Sequence, residues 1–261
     1  MSDDHRPTSI DHPLLAPSAR NLAEAFAGTA ERGGFPTRRW DDAWAADPGL
    51  PEPLVNTVTP LQPMTDESAA DLTARLDAFY DDGEGGGWTI WSTWPTPDLE
   101  PLGYTLLGQP PLMVRPAGGD PMPIPAGLRI VEACTADELA AFERTFIDGY
   151  PAPALQPARS GTLFRAGALG GPSQFWLGYV HGRLVTVAVS CVLAGVVGIY
   201  FVATLPDARG RGYGAAITDA AARANADLPA VLQSSDMGRP VYERIGFETL
   251  ARYSLCMRPR G

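Results

Sequence analysis

Three closely spaced stretches in the second half of the chain, at 175–180, 184–192 and 196–204, are dominated by valine, leucine, isoleucine and aromatic residues. That composition predicts buried strands. His181-Gly182-Arg183 joins the first two, and Leu193-Ala194-Gly195 joins the second and third. Connections this short make consecutive strands antiparallel neighbours. Upstream, 128–131 reads as a short strand. Thr135 and Glu138 then stand at capping-box spacing ahead of Leu139, Phe142 and Phe146, which share one face of a helix. Pro151, Pro153 and Pro157 end that helix. Downstream the pattern predicts an alanine-rich helix over 215–226, a strand over 230–234, another helix and a closing strand over 250–257.

The first half carries a fainter version. A helix is predicted over 69–82, with Leu72, Leu76 and Phe79 on one face, and strands at 55–60 and 88–93. Between the halves, residues 116–126 are rich in glycine and proline, the composition of a linker. The expected organisation is a loose tail at 1–15, a first lobe at 16–115, the linker, and a second lobe at 127–261. The fold class expected is α/β (α+β), with mixed, mostly antiparallel sheets flanked by helices.

Composition narrows the chemistry. Apolar residues make 45% of the 261 and charged ones 19%, so the chain folds. All twenty basic residues are arginine, which excludes a Schiff-base lysine and a Walker-type phosphate lysine. His5, His12 and His181 are the only histidines; the first two lie in the expected tail and the third on a hairpin turn, where it reads as a solvated surface residue. A metal site or a Ser-His-Asp triad is therefore not expected. Cys134, Cys191 and Cys256 are odd in number and widely spaced, which reads as buried free thiols in a reducing compartment. The opening residues lack a signal pattern, and no apolar run reaches the roughly 18 residues of a membrane span. A cytoplasmic location is expected. Residues 1–125 hold 7 arginines against 19 acids, whereas 126–261 hold 13 against 11. The acidic first half argues against nucleic acid as a partner.

The most informative segment follows the third strand: Leu205-Pro206-Asp207-Ala208-Arg209-Gly210-Arg211-Gly212-Tyr213-Gly214, then Ala215 and the alanine-rich helix. Glycines let a backbone approach a ligand closely, and the free N–H groups of a helix start attract an anion. Arg209 and Arg211 add positive charge, so a phosphate or pyrophosphate ligand is expected. The glycines at 210, 212 and 214 do not make the Gly-x-Gly-x-x-Gly dinucleotide pattern, and the preceding hairpins argue against a Rossmann unit.

Arg209, Gly212 and Gly214 resemble the Arg/Gln-x-x-Gly-x-Gly/Ala signature of the GNAT acyltransferase superfamily, and Tyr242-Glu243-Arg244-Ile245-Gly246-Phe247 is similar to its Tyr-x-x-x-Gly-Phe segment. The order of elements over about 127–261 is also similar. The resemblance implies acetyl-CoA as co-substrate. It implies that Val202, Ala203 and Thr204 present a strand edge to the pantetheine, and that Arg209, Gly210, Arg211, Gly212, Tyr213, Gly214 and Ala215 wrap the pyrophosphate. It further implies that Tyr242 protonates the leaving thiolate; as read from the residues alone, Tyr242 packs against the sheet. The implied activity is acetyl transfer to a small-molecule or peptide amine. A non-catalytic CoA-binding or sensing module is the rival reading, and dimerisation is left open. No acid stands on the strand before the loop, and Asp236, the nearest candidate base, has the position of a helix N-cap.

Laid over itself at an offset of 143, the chain matches without gaps: of residues 102–116, Gly103, Leu107, Leu112, Arg115 and Pro116 are identical to their counterparts. In the first copy Leu99 stands where Tyr242 does, and residues 66–71, with three acids and no glycine, replace the glycine turn. The first half thus reads as a degenerate GNAT-like lobe, in tandem with the second, that binds no CoA. Its acidity, around Asp81, Asp82 and Glu84, is expected either to form a wall that draws cationic amines to the acceptor side or to be a solvated face that keeps the chain soluble. Trp40, Trp44, Trp88, Trp91 and Trp94 all lie in it and read as packing, with Trp91 or Trp94 at an acceptor pocket as the alternative.

Overall fold

The computed structural model describes residues 11–81 and 85–260, so most of the expected tail, with His5, lies outside the described residues. The first half runs α1 (Leu15–Ala23), a π-helical turn (Glu24–Gly28), α2 (Thr29–Arg32), β1 (Thr37–Arg39), β2 (Ala43–Ala46) and β3 (Thr57–Pro60). It continues with α3 (Asp66–Tyr80), β4 (Trp88–Ser92), β5 (Thr105–Gly108) and β6 (Pro111–Arg115). The second half runs β7 (Leu128–Glu132), α4 (Ala136–Gly149), β8 (Ser173–Val180), β9 (Arg183–Leu193) and β10 (Val196–Thr204). It ends with α5 (Tyr213–Ala222), β11 (Ala230–Gln233), α6 (Arg239–Glu243), β12 (Glu248–Arg252) and β13 (Ser254–Arg258).

Local chemistry accounts for the element starts. At α4, Thr135 accepts the Glu138 N–H, while the Glu138 carboxylate accepts the N–H groups of Cys134 and Thr135. The 8–9 and 9–10 hairpins turn through His181 and Gly182, and through Ala194 and Gly195, all at positive φ. Such left-handed pairs match the twist of the flanking strands. His181 is exposed there.

Two mixed, mostly antiparallel sheets flanked by helices make up the α/β fold. The first has the order β1-β2-β3-β4-β13-β5, the second β12-β6-β11-β10-β9-β8-β7. Each half therefore gives its last strand to the other's sheet. The single closing strand expected at 250–257 is instead two strands in different sheets, broken at Tyr253, which is buried and donates its N–H to the Pro110 carbonyl. The chain crosses at Pro110 in one direction and at Tyr253 in the other, and these positions are 143 apart. Core residues cross with the strands. Met113 of β6 packs with Ile217, Leu232 and Phe247 of the second half. Its counterpart Cys256 packs with Leu72, Leu76 and Ile90 of the first. The sections expected at 16–115 and 127–261 are thus interwoven at their ends. Of the three thiols expected to be buried, Cys191 and Cys256 are, whereas Cys134 is exposed beside the α4 cap.

A second tie binds the halves. Leu15, Ala19 and Leu22 of α1 share one core with Phe142 and Phe146 of α4 and Phe175 of β8. Within it, buried Asn21 donates through Nδ2 to the carbonyls of Cys191, Leu193 and Val196 at 2.9, 3.0 and 3.2 Å. Its Oδ1 accepts the Tyr200 hydroxyl at 2.8 Å. Gly198 makes room for this group, because a Cβ there would lie 2.0 Å from Asn21 Oδ1. No helix among the described residues is long and apolar enough to cross a membrane.

Removing the amide strands buried polar groups, each worth about 1–3 kcal/mol. Asn21→Ala is expected to cost about 3 kcal/mol, which for a chain of this size lowers Tm by roughly 6–12 °C. Thermal unfolding followed by circular dichroism checks this; a shift under about 2 °C would show that the amide does not hold the halves together.

Candidate functional site

Strands β10 and β11 are parallel partners only where residues 197–199 lie beside 230–232. Beyond Ile199 and Leu232 they part. On its other side β10 bulges against β9 between Tyr200 and Ala203, and Phe201 sits at φ 50°. Bulky side chains rarely adopt that conformation, which costs on the order of 1–3 kcal/mol and gathers at functional sites. Past the bulge Ala203 pairs with Val187 and Leu205 donates its N–H to Val185, so the backbone of Ala203 faces β9. By alternation the backbone of Val202 faces the open side. The parting opens a cleft of about 330 Å³, lined by Val202 and Tyr242 among others.

The glycine turn lies beyond the end of β10, outside that lining. Gly210 and Gly212 have φ of 75° and 80°, and Gly212 is the N-cap of α5. No side chain caps this helix and no acid stands in its first turn. The backbone N–H groups of residues 210–215 have no acceptor among the described residues, the state in which a helix start attracts an anion. Gly214 keeps the helix close to the strand end, since a Cβ there would meet Thr204 Oγ1 at 3.3 Å. The side chains around the turn divide by task. Arg209 turns back, donating to the carbonyls of Thr204 at 3.1 Å and Gly149 at 2.7 Å, so it fixes the turn to β10 and α4. Arg211 is exposed. The Tyr213 ring is buried with Leu128, Val185 and Ala216, which leaves its backbone to face a ligand. The Thr204 hydroxyl is bonded to that of Thr186 at 2.9 Å. At the matching place in the first half, the start of α3 is closed by a Thr65–Ser68 capping box and carries Asp66 and Glu67.

The hydroxyl of Tyr242, on the short α6, has no hydrogen-bond partner among the described residues, while its backbone carbonyl accepts the N–H groups of Ile245 and Phe247. Burial, and secondarily Tyr150, pushes its phenol up to about 12. Tyr150 and Tyr200 also line the cleft. Tyr150 is pushed up by burial and by the charge of Glu52, whereas Tyr200 is spent on Asn21. The lining contains no carboxylate, imidazole or guanidinium. Asp236 does not cap α6: the N-cap is Gly238, whose N–H goes to Ser235 Oγ, and Asp236 is exposed, 3.6 Å from Arg252. Cys191 lies in the core with its thiol pushed up to about 12 by burial.

The opposite wall comes largely from the first half: Phe26, Leu54, Val55, Trp91 and Pro110, with Leu255 of β13. Trp91 is buried in the core, as its packing reading had it, and its face also lines the cleft, while Trp94 packs in the core outside the lining. The cleft lining holds no acid among the described residues, and Asp82 and Glu84, named for an acidic wall, lie outside the described residues. Asp66, Glu67 and Asp71 are exposed on α3, and Asp71 pairs with Arg75. Sequence reasoning missed Phe26, Leu54 and Val55 as site residues: Phe26 and Leu54 lie outside the predicted elements, and Val55, at the start of the strand predicted over 55–60, carries no motif. It missed Tyr150, which carries no motif, although its place just before Pro151 marked the end of α4.

Residues 171–249 match the acetyltransferase (GNAT) domain family. That stretch carries a GNAT domain, and the fold of the chain is shared with solved structures, one of them a tandem GNAT protein. A GCN5-related N-acetyltransferase from Kribbella flavida superposes with a TM-score of 0.62 at 20% identity, covering 94% of this chain and 96% of that one. A GNAT-family acetyltransferase structure from Novosphingobium aromaticivorans gives 0.58 at 19%, covering 96% and 100%. A tandem GNAT protein from the clavulanic acid biosynthesis pathway gives 0.51 at 14%, covering 94% and 95%. No curated protein sequence matches.

Because burial raises the Tyr242 pKa, its phenol stays protonated where an ordinary tyrosine ionises, near 10. Phenolate absorbance titrated in the wild type and in Tyr242→Phe is expected to coincide from pH 9 to about 11. Loss of one phenolate near pH 10 in the variant would contradict the burial described.

Proposed function

We propose that this protein transfers an acetyl group from acetyl-CoA to an amine, with the thioester lodged where β10 and β11 part. The parting carries the reading: a one-sided strand edge at Val202 runs toward a helix start with free N–H groups. The residues fit the group. The Val202 backbone would pair with the pantetheine amides, and the N–H groups of residues 210–215 would hold the pyrophosphate. The space kept by Gly214 allows the close approach. Acetyl-CoA supplies an activated acyl group bound to a good leaving thiol.

Tyr242 keeps its proton at Oη across the working pH range and would donate it to the departing sulfur, so the thiol leaves neutral as the C–S bond breaks and the C–N bond forms. With no basic side chain in the lining, the acceptor reacts as the free amine, and the proton it loses passes through water to restore the Tyr242 phenol. The missing base is also the one observation that favours a non-catalytic CoA-binding module.

Calorimetry and thiol release separate the two. Gly214→Asp is expected to abolish acetyl-CoA binding, because the new side chain adds bulk against Thr204 and negative charge at the helix start. Unchanged affinity in the folded variant would overturn the site. Tyr242→Phe is expected to lower kcat by about 10²–10⁴ while Kd for acetyl-CoA stays within about twofold. Full turnover in that variant would reduce Tyr242 to packing. Tight acetyl-CoA binding by the wild type with no thiol release across a broad amine panel would favour the binding module.

A further inference from the structure

Building on that reading, we propose that the acceptor is a monoamine bearing an aromatic or branched apolar group, chosen by the wall that the first half contributes. Phe26, Leu54 and Val55 are only half-buried, and all three line the cleft. Apolar side chains left partly uncovered inside a cleft gain by covering with an apolar ligand. Phe26 is held in a cluster of rings, with centroids 6.4 Å from Trp91, 5.8 Å from Tyr200 and 5.0 Å from Phe201. It thus extends the wall of one half to the bulge of the other, beside the atoms where the acyl group would sit. The volume of about 330 Å³ equals roughly ten waters at about 30 Å³ each, room for a benzene-sized group beside the acyl end.

Charge points the same way. The lining offers no carboxylate to a second ammonium group, which would be desolvated there without a counter-ion. Outside the lining, the charge of Glu52 acts on Tyr150. A polyamine or a lysine-rich peptide would leave charge stranded inside, whereas a monoamine reacting as its free base would not.

The test uses the full chain with acetyl-CoA and measures thiol release with 2-phenylethylamine, 3-methylbutylamine and 1,4-diaminobutane. The two apolar amines are expected to exceed the diamine in kcat/KM by at least about 100-fold, within the range that apolar pocket contacts discriminate. Leu54→Asp, at a half-buried position, is expected to lower kcat/KM for 2-phenylethylamine by about tenfold or more. It should raise the value for 1,4-diaminobutane and leave the acetyl-CoA Kd unchanged; Val55→Asp serves if that variant fails to fold. Should acetyl-CoA bind but no amine react, the transfer reading fails, and the cleft preference is then read by calorimetry of the same amines on the CoA-loaded protein. A diamine bound or used as well as the apolar amines overturns the proposal. So does a preference for hexanoyl-CoA over acetyl-CoA with indifference to the amine, which would make the wall an acyl-chain pocket.

Discussion

The exchange of last strands is the constraint from which the rest of the structure follows. β13 sits between β4 and β5, and β6 between β11 and β12, so neither sheet is complete without a strand from the other half. Backbone hydrogen bonds that would otherwise be lost at two open edges make the exchange obligatory. Because the crossings at Pro110 and Tyr253 meet through a backbone hydrogen bond, the two exchanged strands start from one point. Pro110, Trp91 and Leu255 all line the cleft, so that point also fixes how the wall from one half faces the strand edge of the other.

Asn21 does for the bulge what the exchange does for the sheets. A left-handed Phe201 is unfavourable by itself and persists only where its surroundings over-determine it. The residue before it, Tyr200, is buried, with its hydroxyl held by Asn21 Oδ1, while Asn21 Nδ2 holds the turn end of the β9–β10 hairpin. Helix α1 of the first half thereby braces the conformation that opens the cleft in the second. The two helix starts that follow β3 and β10 show the halves diverging on a common plan. At α3, threonine, serine and two acids satisfy and neutralise the first turn. At α5, glycine leaves the N–H groups free and uncharged by any neighbouring acid. Only the second can take an anion without repulsion.

Much of this was legible in the residues. Capping chemistry at Thr135 and Glu138, and turn chemistry at Gly182 and Gly195, act over a few positions, and those elements begin and end close to where the pattern puts them. The offset of 143 also survives in three dimensions, since Met113 and Cys256 occupy equivalent strands. What the pattern could not carry is which sheet a strand joins. Residues 250–257 read as one strand because nothing local at Tyr253 breaks the alternation; the break is imposed by Pro110, distant in sequence. The cleft wall was illegible for the same reason. Phe26, Leu54 and Val55 carry no motif and come to line the cleft only through long-range docking. Acidic residues, counted by half, pointed to a charged acceptor wall, yet charge counted along a chain does not say which face it lies on.

The account stands on the two halves being one cooperative unit with the cleft between them. Scanning calorimetry of the full chain, with and without acetyl-CoA, tests this most directly. A single transition is expected, with calorimetric and van't Hoff enthalpies in agreement, displaced upward as a whole by the ligand. Two transitions, of which acetyl-CoA moves only one, would show that the halves unfold independently and would contradict it.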